Sequence, residues 1–239
     1  MCTVLLRFRP ELAWPVVFAA VRDEFLDRPW DPPAAHWPEH PEIVGGRDRT
    51  AGGTWLAVRT AGTVAAAALL NGVRLPLPTS GVRPSRGGLP LAALTDTMPD
   101  LLPEQFDGYD GFHLLRTSPT TVDLVTYDGS ALVRTAVGPG DHIITNDGLD
   151  AVSDPTVVYF APLLAELPDP PLPDSWGTWP ALLQGDGLPL DDPRALIIRR
   201  EFGGRVYGSG SLALVALSAD GARYDFSPTP TIDHFMRIA

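Results

Sequence analysis

The sequence predicts a layered α+β protein built largely from antiparallel strands. Two observations carry that prediction. Short apolar, β-branched runs recur along the 239 residues, each closed by Gly, Pro, Asn or Asp. Helical patterning, by contrast, is confined to a few clustered stretches. No internal repeat and no long linker marks a boundary, so a single domain over 1–239 is expected.

Met1–Phe8 and Pro15–Arg22 are apolar runs around a short turn and read as a hairpin, with Pro10 and Pro15 at its loop or edges. Between Leu26 and Gly46 prolines accumulate with His36, His40, Trp30 and Trp37, which predicts an ordered surface loop rather than a regular element. Thr54–Thr60 and Val64–Leu70 flank Ala61-Gly62-Thr63 and form a second hairpin. Leu75 to Leu89 is a Pro/Gly/Ser loop, and Pro90 to Phe106 holds two short helices broken at Pro99. Gly111–Arg116, Val122–Tyr127, Leu132–Val137 and His142–Thr145 are spaced as an antiparallel meander, with turns at Asp128-Gly129 and Gly138-Pro139-Gly140. Thr156–Leu167 and Ser175–Gln184 are further helices on either side of LPDPPLPD. Ala195–Phe202 and Val206–Ser218 are strands, and Asp220-Gly221 turns the second into Arg223–Phe226.

Composition narrows the function. A hydrophobic fraction of 44% supports a packed core, and a formal charge of −11 disfavours nucleic acid or an anionic membrane as partner. All 18 basic residues are arginines, scattered without a stripe; their exclusive use fits the codon bias of a GC-rich genome. One cysteine excludes an internal disulfide framework and a Cys-only metal cluster. Arg7 and Arg9 before AWPVVFAA faintly resemble a signal peptide, but Pro15 breaks the run and no 18-residue apolar stretch follows. A cytoplasmic protein with no membrane span is expected. His36 and His40 have a helical metal spacing that Pro38 and Pro41 deny, so no metal site is expected. His113 and His142 read as packed strand residues. No phosphate-binding loop, dinucleotide fingerprint or covalent haem attachment motif is present.

The chemistry-bearing candidate is Cys2, directly behind the initiator methionine. If Met1 is removed, one residue carries both a thiol and a free α-amine. The amine can then act as base for its own side chain, which is the logic of N-terminal-nucleophile hydrolases. On position alone, a merely buried thiol is the alternative.

The neighbouring motifs add a resemblance. MC with its apolar run, AAVRDEF (Ala19–Phe25), GGTWLAV (Gly52–Val58), LLNGV (Leu69–Val73), SRGGL (Ser85–Leu89), YDGFHLL (Tyr109–Leu115), ITNDGL (Ile144–Leu149) and YGSGS (Tyr207–Ser211) occur in that order. As an ordered set they resemble the NRDE family, also called the transport and Golgi organisation protein two family. The resemblance implies a four-layer αββα sandwich of two mainly antiparallel sheets, the fold of N-terminal-nucleophile hydrolases. A more distant likeness runs to choloylglycine hydrolases and penicillin V acylases, which cleave amides with an N-terminal cysteine.

Carried onto this sequence, the likeness implies that Cys2 attacks a carbonyl and that Arg22 favours its ionised form. Asp23 accepts from or orients the α-ammonium, and Asn71 and Asn146 donate to an oxyanion or position the amine. The plain alternatives are a solvated strand end at Arg22–Glu24 and ordinary turns at Asn71-Gly72 and Asn146-Asp147-Gly148; Trp55 reads as a packing anchor. Three departures stand out. Val21 replaces the family's Asn, Gly210 replaces an arginine, and the usual Trp and Lys after the second Asn give way to Asp154-Pro155 nearby.

The leading expectation is hydrolysis of an amide or related acyl bond of a small molecule, without a cofactor. The Trp-rich segment from Trp30 to Trp55 suggests an apolar acyl group or ring. A rival expectation is a non-catalytic carrier of haem or of a lipid or acyl ligand, since the family has been linked to haem handling and lipid metabolism. A third is a pathway-specific enzyme on a diverged scaffold. The sequence sets no oligomeric state.

Overall fold

The computed structural model describes residues 2–76, 83–95 and 103–239. In chain order the elements begin with β1 (Thr3–Phe8), β2 (Val16–Phe25), β3 (Trp30–Ala34), β4 (Ile43–Asp48), β5 (Leu56–Arg59) and β6 (Ala65–Asn71). Helix α1 (Leu89–Leu94) precedes β7 (Phe112–Thr117), β8 (Val122–Tyr127), β9 (Leu132–Ala136), β10 (Gly140–Thr145) and β11 (Gly148–Leu149). Then come α2 (Pro155–Glu166), α3 (Trp179–Leu182), β12 (Arg199–Phe202), β13 (Arg205–Leu217), β14 (Ala222–Ser227) and β15 (Met236–Arg237). This is the α+β class expected, with two antiparallel sheets. The chain forms two compact units: the residues up to Arg28 with Pro139–Ala239, and Pro29–Gly138.

In the first unit the sheet runs β11-β10-β1-β2-β13-β14-β15, with β12 paired to β13. The β1–β2 hairpin has the register Thr3↔Val21 through Phe8↔Val16. Side chains alternate along a strand, so Leu5, Val17, Ala19 and Val21 share a face with Leu212, Leu214 and Ala216. Val157, Phe160 and Leu164, three and four residues apart on α2, close over that face with Trp179 and Leu182 of α3. Asp154 starts α2 by accepting from the Thr156 amide at 2.8 Å, and Pro155 fits the first turn, where no amide donor is required.

Arg7 ties down the other end of α2. Although buried, it donates to both oxygens of Asp141 (2.7 and 3.0 Å), to Asp169 (2.9 Å), and to the Leu164 and Leu167 carbonyls (each 2.8 Å). Those carbonyls belong to the last turn and its cap, where intrahelical partners run out.

In the second unit the strands follow chain order, β3-β4-β5-β6-β7-β8-β9. Leu94 of α1 packs with Trp37, Ile43, Ala57, Ala67, Phe106, Phe112, Leu114, Val125 and Tyr127 in its core.

Several sequence expectations need correction. The segment from Leu26 to Gly46 contains β3 and β4 rather than only loop. Prolines are tolerated in β3 because it ends its sheet, and its pairing with β4 skips from Asp31 to Ala34 around Pro32-Pro33. In β4, a Cβ on Gly45 would meet the Leu56 carbonyl oxygen at 2.5 Å, and one on Gly46 would meet the Trp55 ring at 2.3 Å. Glycine here admits close neighbours; it does not mark a loop.

The four-strand meander is also divided. β7, β8 and β9 pair in succession, but β10 pairs with β1 in the first unit. Val133 to Ala136 of β9 are exposed, as suits a sheet edge. Ala195–Phe202 pairs only from Arg199, because the Ile198 amide donates to the Ser209 side chain at 3.0 Å. Helix Ser175–Gln184 contracts to α3, bounded by Gly177 (φ 55°) and Gly185 (φ 75°). The expected break at Pro99, and residues 77–82 of the loop before it, lie outside the described residues.

Candidate functional site

Cys2 immediately precedes β1, where the hairpin register carries it to the level of Arg22 and Asp23 on β2. Its backbone nitrogen donates to Asn146 Oδ1 at 3.2 Å, and its Sγ lies 3.8 Å from the Asp23 carbonyl oxygen. Asn146 is presented by the turn between β10 and β11. That turn is set by the Asp147 amide donating to Thr145 Oγ1 (3.2 Å) and by Gly148 at φ 111°, a conformation that favours glycine. Asn146 is therefore a turn residue, and it also anchors the start of the chain.

Asp23 is only 3% exposed, an unusual setting for a carboxylate. Ser209 Oγ donates to it at 2.6 Å while accepting from the Ile198 amide, which fixes the direction of the hydroxyl proton. Burial pushes the Asp23 carboxyl up to about 6, against the opposing pull of the Ser209 hydrogen bond and the Arg200 charge. Burial likewise pushes the Cys2 thiol up. The Asp23 charge adds to that rise and Arg22 opposes it, so Arg22 acts in the direction expected but is outweighed. The balance favours the thiol over the thiolate.

Arg22 is 8% exposed and sits opposite Ser211 on β13. The β2–β13 ladder steps from Asp23↔Ser209 to Arg22↔Ser211, leaving Gly210 as the extra residue of a bulge. A Cβ at 210 would lie 3.8 Å from Arg22 Nη1, so the position where the motif likeness led to the expectation of an arginine lies beside the guanidinium. Val21 belongs to the apolar core under α2 and α3. Asp154-Pro155, the third departure, begins α2.

Asn71 ends β6 in the second unit. Its Oδ1 accepts from Arg86 Nη2 at 2.7 Å, and Arg86 Nη1 donates to the Gly111 carbonyl at 2.6 Å. A Cβ on Gly72 would approach the Gly111 backbone to 2.8 Å, so the following residue is glycine because two chain segments nearly touch. Within the first unit, the structure thus gathers Cys2, Arg22, Asp23 and Asn146.

Sequence reasoning missed Ser209 and Tyr207. The Tyr207 hydroxyl donates to the Asp23 carbonyl oxygen at 3.1 Å, and its ring meets Phe25 edge-on at 5.4 Å. The available signal was alternation in YGSGS, which turns Tyr207 and Ser209 the same way before the bulge. Among the described residues, no group of three or more His, Cys, Asp or Glu is placed to hold a metal ion, and no helix is long and apolar enough to cross a membrane.

Fold and site together define an α+β protein of antiparallel sheets with a cysteine-centred polar site where its first strand begins. The family model described as Transport and Golgi organisation 2 matches residues 1–167, and the chain belongs to that family. It is 30% identical over 168 residues to the human Transport and Golgi organization protein 2 homolog, covering 64% of this chain and 57% of that protein. The cattle homolog of the same name is 31% identical over 162 residues (61% and 57%). The mouse Transport and Golgi organization 2 homolog is 32% identical over 144 residues (54% and 50%). The chain spans about half the length of the curated relatives it matches.

Proposed function

We propose that this protein is a cytoplasmic hydrolase of amide or related acyl bonds, with Cys2 as an N-terminal nucleophile once residue 1 is removed. One observation carries the reading: the Cys2 nitrogen, which would become the α-amine, is already held by Asn146 Oδ1 on the residue that bears the thiol. A raised thiol pKa suits a nucleophile that surrenders its proton only when a base is beside it.

In this mechanism the α-amine takes the thiol proton and the sulfur attacks the substrate carbonyl. Collapse of the tetrahedral intermediate breaks the bond to the leaving group, which receives that proton from the α-ammonium. Water then attacks the acyl-enzyme, giving a proton to the amine, and cleavage of the thioester restores the thiol. Asp23 orients the ammonium. Asn146 holds the amine through its Oδ1. The reaction requires no cofactor.

The test pairs intact mass with acyl transfer. Protein purified from cells should lack residue 1, and a 4-nitrophenyl ester should leave its acyl group on Cys2. Cys2→Ala should abolish both labelling and turnover. Retention of residue 1 in cells, or an acyl label mapping elsewhere, sinks the proposal.

A further inference from the structure

We infer that the Tyr207 hydroxyl is a further catalytic group of this site, donating a hydrogen bond to the substrate carbonyl oxygen as negative charge develops there. The inference rests on the reading of Cys2 as nucleophile and names a residue to which that reading gives no role.

The geometry is a convergence on one atom. Cys2 Sγ lies 3.8 Å and Tyr207 Oη 3.1 Å from the same Asp23 carbonyl oxygen, so the attacking sulfur and a hydroxyl donor face a common point. The Tyr207 ring is braced edge-on by Phe25 at 5.4 Å and by Phe202 at 6.1 Å, which holds the phenol oxygen in place while its O–H remains able to rotate. Tyr207 is half-buried, whereas Phe202 beside it is exposed. Burial, and then the neighbouring Cys2 and Asp23 charges, push the phenol far above its ordinary value, and it stays a donor at any working pH. A backbone carbonyl is a weaker acceptor than an oxyanion, so the same hydroxyl can turn to the reacting oxygen as the intermediate forms. When sulfur attacks, the carbonyl π pair moves onto oxygen. Tyr207 stabilises that charge by hydrogen bonding alone and keeps its proton, while the thiol proton travels through the α-amine.

Two electrophiles separate this role from a structural one. Acylation by a 4-nitrophenyl ester passes through an oxyanion. Alkylation by iodoacetamide forms the S–C bond as iodide leaves and makes no oxyanion. In Tyr207→Phe the ester acylation rate should fall about 100-fold, while iodoacetamide alkylation of Cys2 stays within about twofold. Equal ester rates in the two proteins overturn the inference, as does a parallel loss of both reactions. If the wild-type ester label is not on Cys2, the hydrolase reading itself fails and this inference falls with it. Should Tyr207→Phe not fold, 3-fluorotyrosine at 207 keeps ring and hydroxyl and makes a stronger donor. The ester-to-iodoacetamide rate ratio must then rise, and an unchanged ratio overturns the inference.

Discussion

Replacing Asp23 with asparagine should make the protein more stable at neutral pH while disabling the site. Asp23 has its carboxyl raised from the ordinary 3.8 to about 6, with burial as the largest cause. Between those values the folded chain binds a proton that the unfolded chain has released, so stability falls as pH rises. The contribution of the neutral acid is fully present below 3.8 and lost once pH has risen through about 6. About two pKa units correspond to roughly 3 kcal/mol. The substituted amide keeps an oxygen for the Ser209 hydroxyl yet never carries charge. The stability of Asp23→Asn relative to wild type should therefore climb by about 3 kcal/mol between pH 4 and pH 7, or roughly 6–12 °C in Tm for a chain of this size. Urea and thermal unfolding across that range would measure it, alongside loss of ester turnover. A difference that stays flat with pH, or that shrinks as pH rises, would show that Asp23 is not held in a setting hostile to its charge.

Arg7→Ala should cost about 3–5 kcal/mol, because it leaves the part-buried Asp141 carboxylate with only the more exposed Arg9 at 3.5 Å and removes the arginine from two helix-end carbonyls at once. Arg7→Lys should recover little of this, since one ammonium cannot span those partners, and denaturant titration of both variants checks it. Gly208→Ala should cost about 1–3 kcal/mol, because the new Cβ would meet the Ile198 carbonyl oxygen at 2.6 Å, a backbone atom with nowhere to go. Gly210→Ala should change stability by less than about 0.5 kcal/mol, its nearest neighbours being side-chain tips of Leu26 and Arg22 at 3.7 and 3.8 Å. Equal losses in the two glycine variants would contradict the bulge geometry.

What could be read from the sequence was local. The β1–β2 hairpin, the long strand β13 and the apolar face of α2 announce themselves through period and punctuation, and all three form. β3 did not, because its prolines are acceptable only at a sheet edge, and edge position depends on what the rest of the chain pairs with. The partner of β10 was equally hidden: Val4↔Ile144 joins residues 140 positions apart, and nothing in His142–Thr145 distinguishes a fourth meander strand from a strand bound for β1. At the site, motif likeness pointed to Arg22, Asp23 and Asn146, but spacing could not reveal a bond from Cys2 to a residue 144 positions away. Ser209, 186 positions from Asp23, escaped for the same reason.

The site coincides with breaks in the strand pattern. Along β2, Val17, Ala19 and Val21 keep one face apolar, and the next residue in that period is Asp23. A carboxylate where the pattern calls for a hydrophobe is destabilising unless its neighbours are arranged to hold it, and Ser209 and its Ile198 donor supply that arrangement. The bulge at Gly210 interrupts the ladder between Asp23↔Ser209 and Arg22↔Ser211, so two adjacent β2 residues of opposite charge each face a serine. An arginine at 210 would set a second guanidinium close to Arg22 and alter the field around the thiol. With glycine there, the lowering influence of Arg22 on the Cys2 thiol is outweighed by burial and by the Asp23 charge. In the mechanism proposed for this site, a thiol raised in this way makes Cys2 depend on its own amine for activation.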